Sequence, residues 1–253
     1  MRRLTLVVVI LLVASALASA QRLARPNPET ERANSHYLIG LQHLQHEAWE
    51  DAVREFQAAI DIDPNFKLAY YGEGRAYMPM RRYVDAIKAY AACRDLYVAA
   101  GGQKFTNQLD AQRMRQDEVL ALRELIRISG SGPQTIQAQN TQRQLENRLQ
   151  TLQDTINRGY NISFQSEVPA FVSVALGSAY FRAERLVDAE REYKAAIDAD
   201  DKAGEAHNNL AVVYMLTDRL AESEREMKLA EKSGFRVRSE FKQDLADRRK
   251  QKP

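Results

Sequence analysis

The 253-residue sequence predicts an all-α superhelix of stacked helix pairs, interrupted by a long helical hairpin and closed by a C-terminal capping helix. Two observations carry that expectation. Small and aromatic residues recur at an offset of 34 positions, and between the recurrences apolar residues step by three and four, the period of an amphipathic helix. The composition agrees, with 45% apolar, 8% aromatic and 28% charged residues, which suits a folded domain rather than a disordered chain or a polytopic membrane protein.

The chain opens with an export signal, residues 1–20. Arg2 and Arg3 form a short basic start, an apolar run broken only by Thr5 and Ser15 follows, and Ala18-Ser19-Ala20 supplies small residues for cleavage before Gln21. The uncharged stretch 4–21 is 18 residues, at the lower limit for a bilayer-spanning helix, so a retained anchor is the alternative. The expected location is therefore outside the cytoplasm, in the periplasm or cell envelope or beyond the cell. Of the 36 basic residues, the loss of Arg2 and Arg3 leaves 34 against 34 acidic ones, so no general nucleic-acid footprint exists. Residues 21–32, with Pro26 and Pro28, read as an extended tether.

The lattice begins at residue 33. Gly40 recurs as Gly74, Trp49 as Tyr83, Ala52 as Ala86, Phe56 as Tyr90 and Ala59 as Cys93. It returns with Gly177, Tyr180, Leu186, Ala189, Tyr193 and Ala196, and 34 positions later with Ala211, Tyr214, Leu220, Ser223, Met227 and Ala230. Four units result, two in 33–100 and two in 170–237. Val53, Phe56, Ala59 and Ile60 share one helical stripe, and Ile39, Gly40 and His43 share another in the preceding helix. Gly40, Ala52 and Ala59 let backbones approach, Phe56 fills the gap toward a neighbour, and Pro64 ends the second helix. One such pair cannot bury both its faces, so the pairs must stack.

The order of small residue, aromatic three on, alanine, aromatic four on, alanine and proline resembles the tetratricopeptide repeat. The resemblance implies a right-handed superhelix, an α-solenoid, that binds proteins rather than catalysing a reaction. It also implies that the first helix of each pair lines a concave groove. By that resemblance the partner-binding positions are Tyr37, Leu41 and Leu44, then Tyr71, Arg75 and Met78, then Val174, Ser178 and Phe181, and finally Asn208, Val212 and Met215. Family members that clamp a chaperone's C-terminal carboxylates use Lys and Asn at sites that Tyr37 and Leu41 occupy here, which argues against that ligand class. The mostly apolar stripe takes either a segment of another protein or, in cis, the hairpin or the tether. Met78-Pro79-Met80 ends its helix early and places two adaptable thioethers near the groove rim.

The segment 101–169, 69 residues, departs from the lattice but still reads as helix. Leu109, Val119, Leu122, Leu125 and Ile126 give an interrupted apolar stripe, and Leu145, Leu149, Leu152 and Ile156 step by 4, 3 and 4. Ser129-Gly130-Ser131-Gly132-Pro133 marks the turn of an antiparallel hairpin over 103–129 and 133–158. With only two repeats on each side, the hairpin is expected to bridge them; the alternative is two small modules flanking a projecting, partner-binding hairpin. Residues 238–253 read as a capping helix, with Phe241 and Leu245 on one face, and a basic tail.

Catalytic and cofactor signatures are missing from the sequence. The 11 glycines form neither a P-loop nor a dinucleotide fingerprint, and no HExxH or Cys/His array is present. No metal, cofactor or catalytic residue is expected. His36, His43 and His46 share a helix, but His36 and His207 occupy equivalent repeat positions, which suits packing better than ligation. Cys93 stands at the packing-alanine position and is expected to be a buried thiol.

Overall fold

The computed structural model describes residues 28–101 and 168–251 together with helical positions scattered between 119 and 154. The described elements are helices: α1 (Pro28–Gln45), α2 (Trp49–Ile62), α3 (Lys67–Tyr77), α4 (Tyr83–Gly101), α5 (Ala170–Arg182), α6 (Leu186–Ala199), α7 (Gly204–Leu216), α8 (Leu220–Lys232) and α9 (Ser239–Gln251). The signal segment 1–20 and residues 21–27 of the tether lie outside the described residues. The remainder of the tether is helical rather than extended, because α1 begins at Pro28. Proline lacks only an N–H that a first helical turn leaves unbonded, and Glu29 and Glu31 complement the positive end of the helix.

Within each pair the two helices are joined by the same turn. One residue adopts the left-handed conformation, Glu47 (φ 58°), Arg81 (φ 58°), Glu184 (φ 60°) and Asp218 (φ 61°), all at one lattice position. The next N–H then donates back to a carbonyl of the first helix: Ala48 to His43 at 2.9 Å, Arg82 to Tyr77 at 3.1 Å, Arg185 to Tyr180 at 2.9 Å and Arg219 to Tyr214 at 2.8 Å. These bonds satisfy carbonyls that a helix end would leave open. In the last three pairs the arginine also lays its guanidinium over the tyrosine ring, at 4.5, 4.6 and 4.0 Å, and bonds an acid three residues on, Asp85, Asp188 or Glu222.

Packing within the pairs depends on missing side-chain atoms. A β-carbon placed on Gly40 would lie 2.7 Å from the Phe56 ring, one on Gly74 2.6 Å from Tyr90, and one on Gly177 2.7 Å from Tyr193. Phe56 also reaches forward to the next pair, where a β-carbon on Gly72 would lie 2.5 Å from it. In the fourth pair the ring is replaced by Met227 and the glycine by Ala211, and Ser223 donates to the Ala211 carbonyl at 2.7 Å. Cys93 is fully buried at the position of Ala59 and Ala196.

The four pairs form one continuous stack. α4 packs directly on α5, although the inserted segment separates them in sequence, and one apolar core runs from Ala33 through Tyr90 and Leu176 to Tyr214. The two blocks of two repeats thus meet directly, while most of the hairpin expected to bridge them lies outside the described residues. Phe171 meets Tyr71 edge-on at 4.9 Å, and Arg94 donates to the buried carboxylate of Glu192 at 3.0 Å, so complementary groups on α3–α4 and α5–α6 close the junction themselves. Most of the predicted hairpin, including its turn, lies outside the described residues. At the described positions Leu122 is buried and Val119, Ile126, Leu145 and Leu149 are half-buried, while Arg123, Arg127, Arg143, Glu146 and Gln150 are exposed.

At the C-terminal end, α9 lays Phe241 and Leu245 against Leu220, Ala230 and Val237. Its basic residues are largely consumed locally: Lys242 pairs with Glu231 and Arg249 with Glu224 across to α8, while Arg248 pairs with Asp244 and Lys250 with Asp247.

Gly40→Ala forces a methyl group into the Phe56 ring and is expected to destabilise the protein by ~1–3 kcal/mol despite the better helix propensity of alanine, as measured by urea denaturation. Replacing residues 104–165 with a short Gly/Ser linker should leave cooperative unfolding and the α4–α5 junction intact, because that junction is made by the repeats; separate unfolding of two halves would contradict direct stacking.

Candidate protein-binding surface

The first-helix positions predicted from the repeat divide by burial. Tyr37, Leu44, Tyr71, Val174 and Met215 are buried, with exposures of 8% or less. Tyr37 packs on Phe56 and Phe66 at ring separations of 5.9 and 5.1 Å, and Tyr71 on Tyr90 at 5.5 Å, so these side chains hold the stack together. Leu41, Arg75, Ser178 and Val212, each one residue after the small Gly or Ala, are half-buried in all four pairs. Met78, Phe181 and Asn208 are half-buried too. The accessible stripe is therefore narrower than the sequence implied, and the position after the small residue is the one that stays partly open in every repeat. Ser178 is held from behind by the Tyr193 hydroxyl at 3.2 Å.

A second recurring position, on the second helices, carries Glu55, Glu192 and Glu226, each of which finds a different partner. Glu55 takes Nδ1 of His36 at 2.7 Å, Glu226 takes Nδ1 of His207 at 2.7 Å, and Glu192 takes Arg94. Both histidines thus spend a ring nitrogen on a carboxylate of their own pair, and His207 Nε2 lies 3.2 Å from the Asp201 carbonyl. Among the described residues no group of three or more His, Cys, Asp or Glu is placed to hold a metal ion. Nor is any described helix long and apolar enough to cross a membrane.

Between the first two pairs Gln57 donates to Glu73 at 2.9 Å, and the Tyr77 hydroxyl donates to the same carboxylate at 3.1 Å. Burial and the adjoining Glu73 push the Tyr77 phenol up to about 12, and burial pushes Tyr193 up to about 12 as well. Both stay protonated and neutral throughout the physiological range. This network was not legible in the sequence, because Gln57 and Glu73 lie on helices of different repeats.

The tetratricopeptide repeat family model matches residues 37–97 and 174–234, the two blocks of stacked pairs. The protein is a tetratricopeptide-repeat protein. No curated protein matches the chain significantly. Among solved structures, the chain is similar to PilW, a type IV pilus biogenesis factor (11% identity over 83% of this chain and 80% of that one, TM-score 0.35). It is also similar to a thermophilic tetratricopeptide-repeat protein of Thermus thermophilus (16%, 85% and 96%, TM-score 0.33) and to YrrB, a repeat protein with an unusual peptide-binding site (13%, 78% and 84%, TM-score 0.26). These superpositions are loose, and the family assignment rests on the repeat match and on the helix-pair packing. As a tetratricopeptide-repeat protein the molecule is a protein–protein interaction scaffold, of a class that is generally non-catalytic.

Stability of this repeat protein is tied to pH by the junction between its third and fourth repeats. Glu190 lies 2.6 Å from Lys194 and 2.8 Å from Arg219 of the next repeat. Burial alone would raise the Glu190 carboxyl, but the bonds from Lys194 and Arg219 hold it below the ordinary carboxylate range. Asp188 is likewise held low, burial being outweighed by Arg185 and Arg191. A depressed carboxylate stabilises the fold at neutral pH and loses that contribution as pH falls through its folded-state value. Glu190→Gln should therefore lower the urea midpoint at pH 7, and the difference from the parent protein should shrink as pH falls below the ordinary glutamate value. A constant difference across that range would contradict this account.

Proposed function

We propose that this tetratricopeptide-repeat protein is an exported adaptor without chemistry of its own, holding an extended or helical segment of a partner protein along its first helices. The observation that carries the reading is the register of Leu41, Arg75, Ser178 and Val212, one half-open position per repeat on a stack with no interruption at the insert. A ligand segment laid along such a stripe meets the same position of successive repeats, and mixed apolar and polar side chains suit a peptide better than a small molecule. The basic n-region, apolar run and small residues before Gln21 support export to the cell envelope or beyond it.

A second reading, in which the inserted segment recruits the partner and the repeats serve as its mount, is favoured by one fact. α4 packs directly on α5, so the two blocks of repeats meet each other across the point where the insert leaves the chain.

Photo-crosslinking separates the two. A photoreactive phenylalanine analogue at Ser178 or Val212 should trap a partner in the producing cell, whereas the same residue at Val187, 82% exposed on α6, should not. Ser178→Arg should suppress the adduct formed through Val212 while leaving the circular dichroism melt unchanged. Adducts obtained only from the insert would favour the second reading, and N-terminal sequencing of the same preparation should begin at Gln21.

A further inference from the structure

The turn residue in the left-handed conformation is acidic in three repeats, Glu47, Glu184 and Asp218, and is arginine in the second, Arg81. The reversal falls beside another isolated cation. Arg182, the last residue of α5, occupies a position held by Gln45, Pro79 and Leu216 in the other repeats. Direct stacking of the second repeat on the third brings Arg81 and Arg182, 101 positions apart in sequence, to the wall of one open cavity of about 570 Å³. Among the described residues Met78, Pro79 and Tyr83 also line it.

The charges around the cavity are unbalanced. The next arginine of each turn is already engaged, Arg82 with Asp85 and Tyr77, and Arg185 with Asp188 and Tyr180. Arg81 and Arg182, both exposed, form no ion pair or hydrogen bond with a described residue. Glu184 is exposed on the neighbouring turn but does not line the cavity.

We propose that this seam is an anion subsite that takes a carboxylate side chain from an acidic segment of a protein partner. Two guanidiniums offer paired donors to one or two carboxylates, and the carbon surfaces of Met78, Pro79 and Tyr83 accept the apolar residues beside them. A long polyanion is disfavoured, because the neighbouring turns present the exposed Glu47 and Glu184 and would repel it on either side. On the stripe itself Arg75 is the basic residue and is half-buried, whereas Arg81 and Arg182 stand exposed at the turns, so the anchor is placed there. The proposal rests on the reading that the repeats hold a peptide, and adds the charge that the peptide carries.

The test uses the purified protein and a fluorescein-labelled octapeptide of alternating glutamate and leucine, with its glutamine–leucine counterpart. Fluorescence anisotropy should show the glutamate peptide bound about tenfold more tightly, and the preference should shrink as salt is raised. Arg81→Glu restores the residue type that Glu47 and Glu184 carry in the same conformation, so the turn should fold, and the preference should be lost. Arg182→Gln copies Gln45 and should weaken glutamate-peptide binding about fivefold, deciding the matter should Arg81→Glu lower the melting temperature. Equal affinity for the two peptides, no measurable binding of the glutamate peptide, or unchanged binding by both variants would overturn the subsite. Displacement of the peptide by 10 mM inorganic phosphate but not by 10 mM acetate would also overturn it, by reassigning the arginines to a phosphate group. Crosslinks through Ser178 and Val212 report on the stripe separately, so their persistence alongside a failed peptide test would remove the subsite and leave the groove reading standing.

Discussion

An aromatic ring seated where a β-carbon would otherwise stand is the contact on which the rest of the molecule depends. Phe56 over Gly40 and Gly72, Tyr90 over Gly74, and Tyr193 over Gly177 bring helix axes close enough for the ring to be sealed from water. Sealing a ring of that size removes a large apolar area from solvent, and the close approach adds dispersion contacts that a looser pair would forgo. Phe56 has a further consequence. By filling the space above a glycine of its own pair and one of the next, it couples pair formation to stacking, so the first two repeats form one unit.

Polar groups then decide how the pairs join. The Gln57–Glu73–Tyr77 network lies at the first junction, the Arg94–Glu192 pair at the second and Glu190–Arg219 at the third. Each sits at a seam whose apolar contacts would tolerate small slippage, and a directional bond between two particular residues does not. The second seam matters most for the architecture. Its groups come from either side of the inserted segment, so the chain can leave the stack at α4 and return at α5 with the superhelix unbroken.

The same economy governs the surface. Arginines at the pair turns are engaged by a tyrosine face and an acid in three repeats, and the described basic residues of α9 pair with acids of α8 or of α9 itself. Against that background the few open features are informative: a half-buried position on each first helix, and a pair of unengaged arginines at the seam between the second and third repeats. A protein segment with both apolar and acidic character matches the two together.

Much of this was legible in sequence. The offset of 34 positions located Gly40, Phe56, Ala59 and their equivalents, and because a helix of 3.6 residues per turn puts such spacings on one face, the paired helices and the buried Cys93 followed from local arithmetic. Burial of Tyr37 and Tyr71 did not, since sharing a helix face with a groove residue does not say whether a neighbouring repeat covers the ring. Nor did the start of α1 at Pro28, where a proline that reads as a breaker in sequence serves as a first helical residue. Sequence by itself determined the repeating unit, because the unit is built from contacts within 34 residues. Only the tertiary structure decided that α4 meets α5, that Arg94 finds Glu192, and that Arg81 and Arg182 share a cavity, because those contacts span about a hundred residues and depend on where an inserted segment returns the chain.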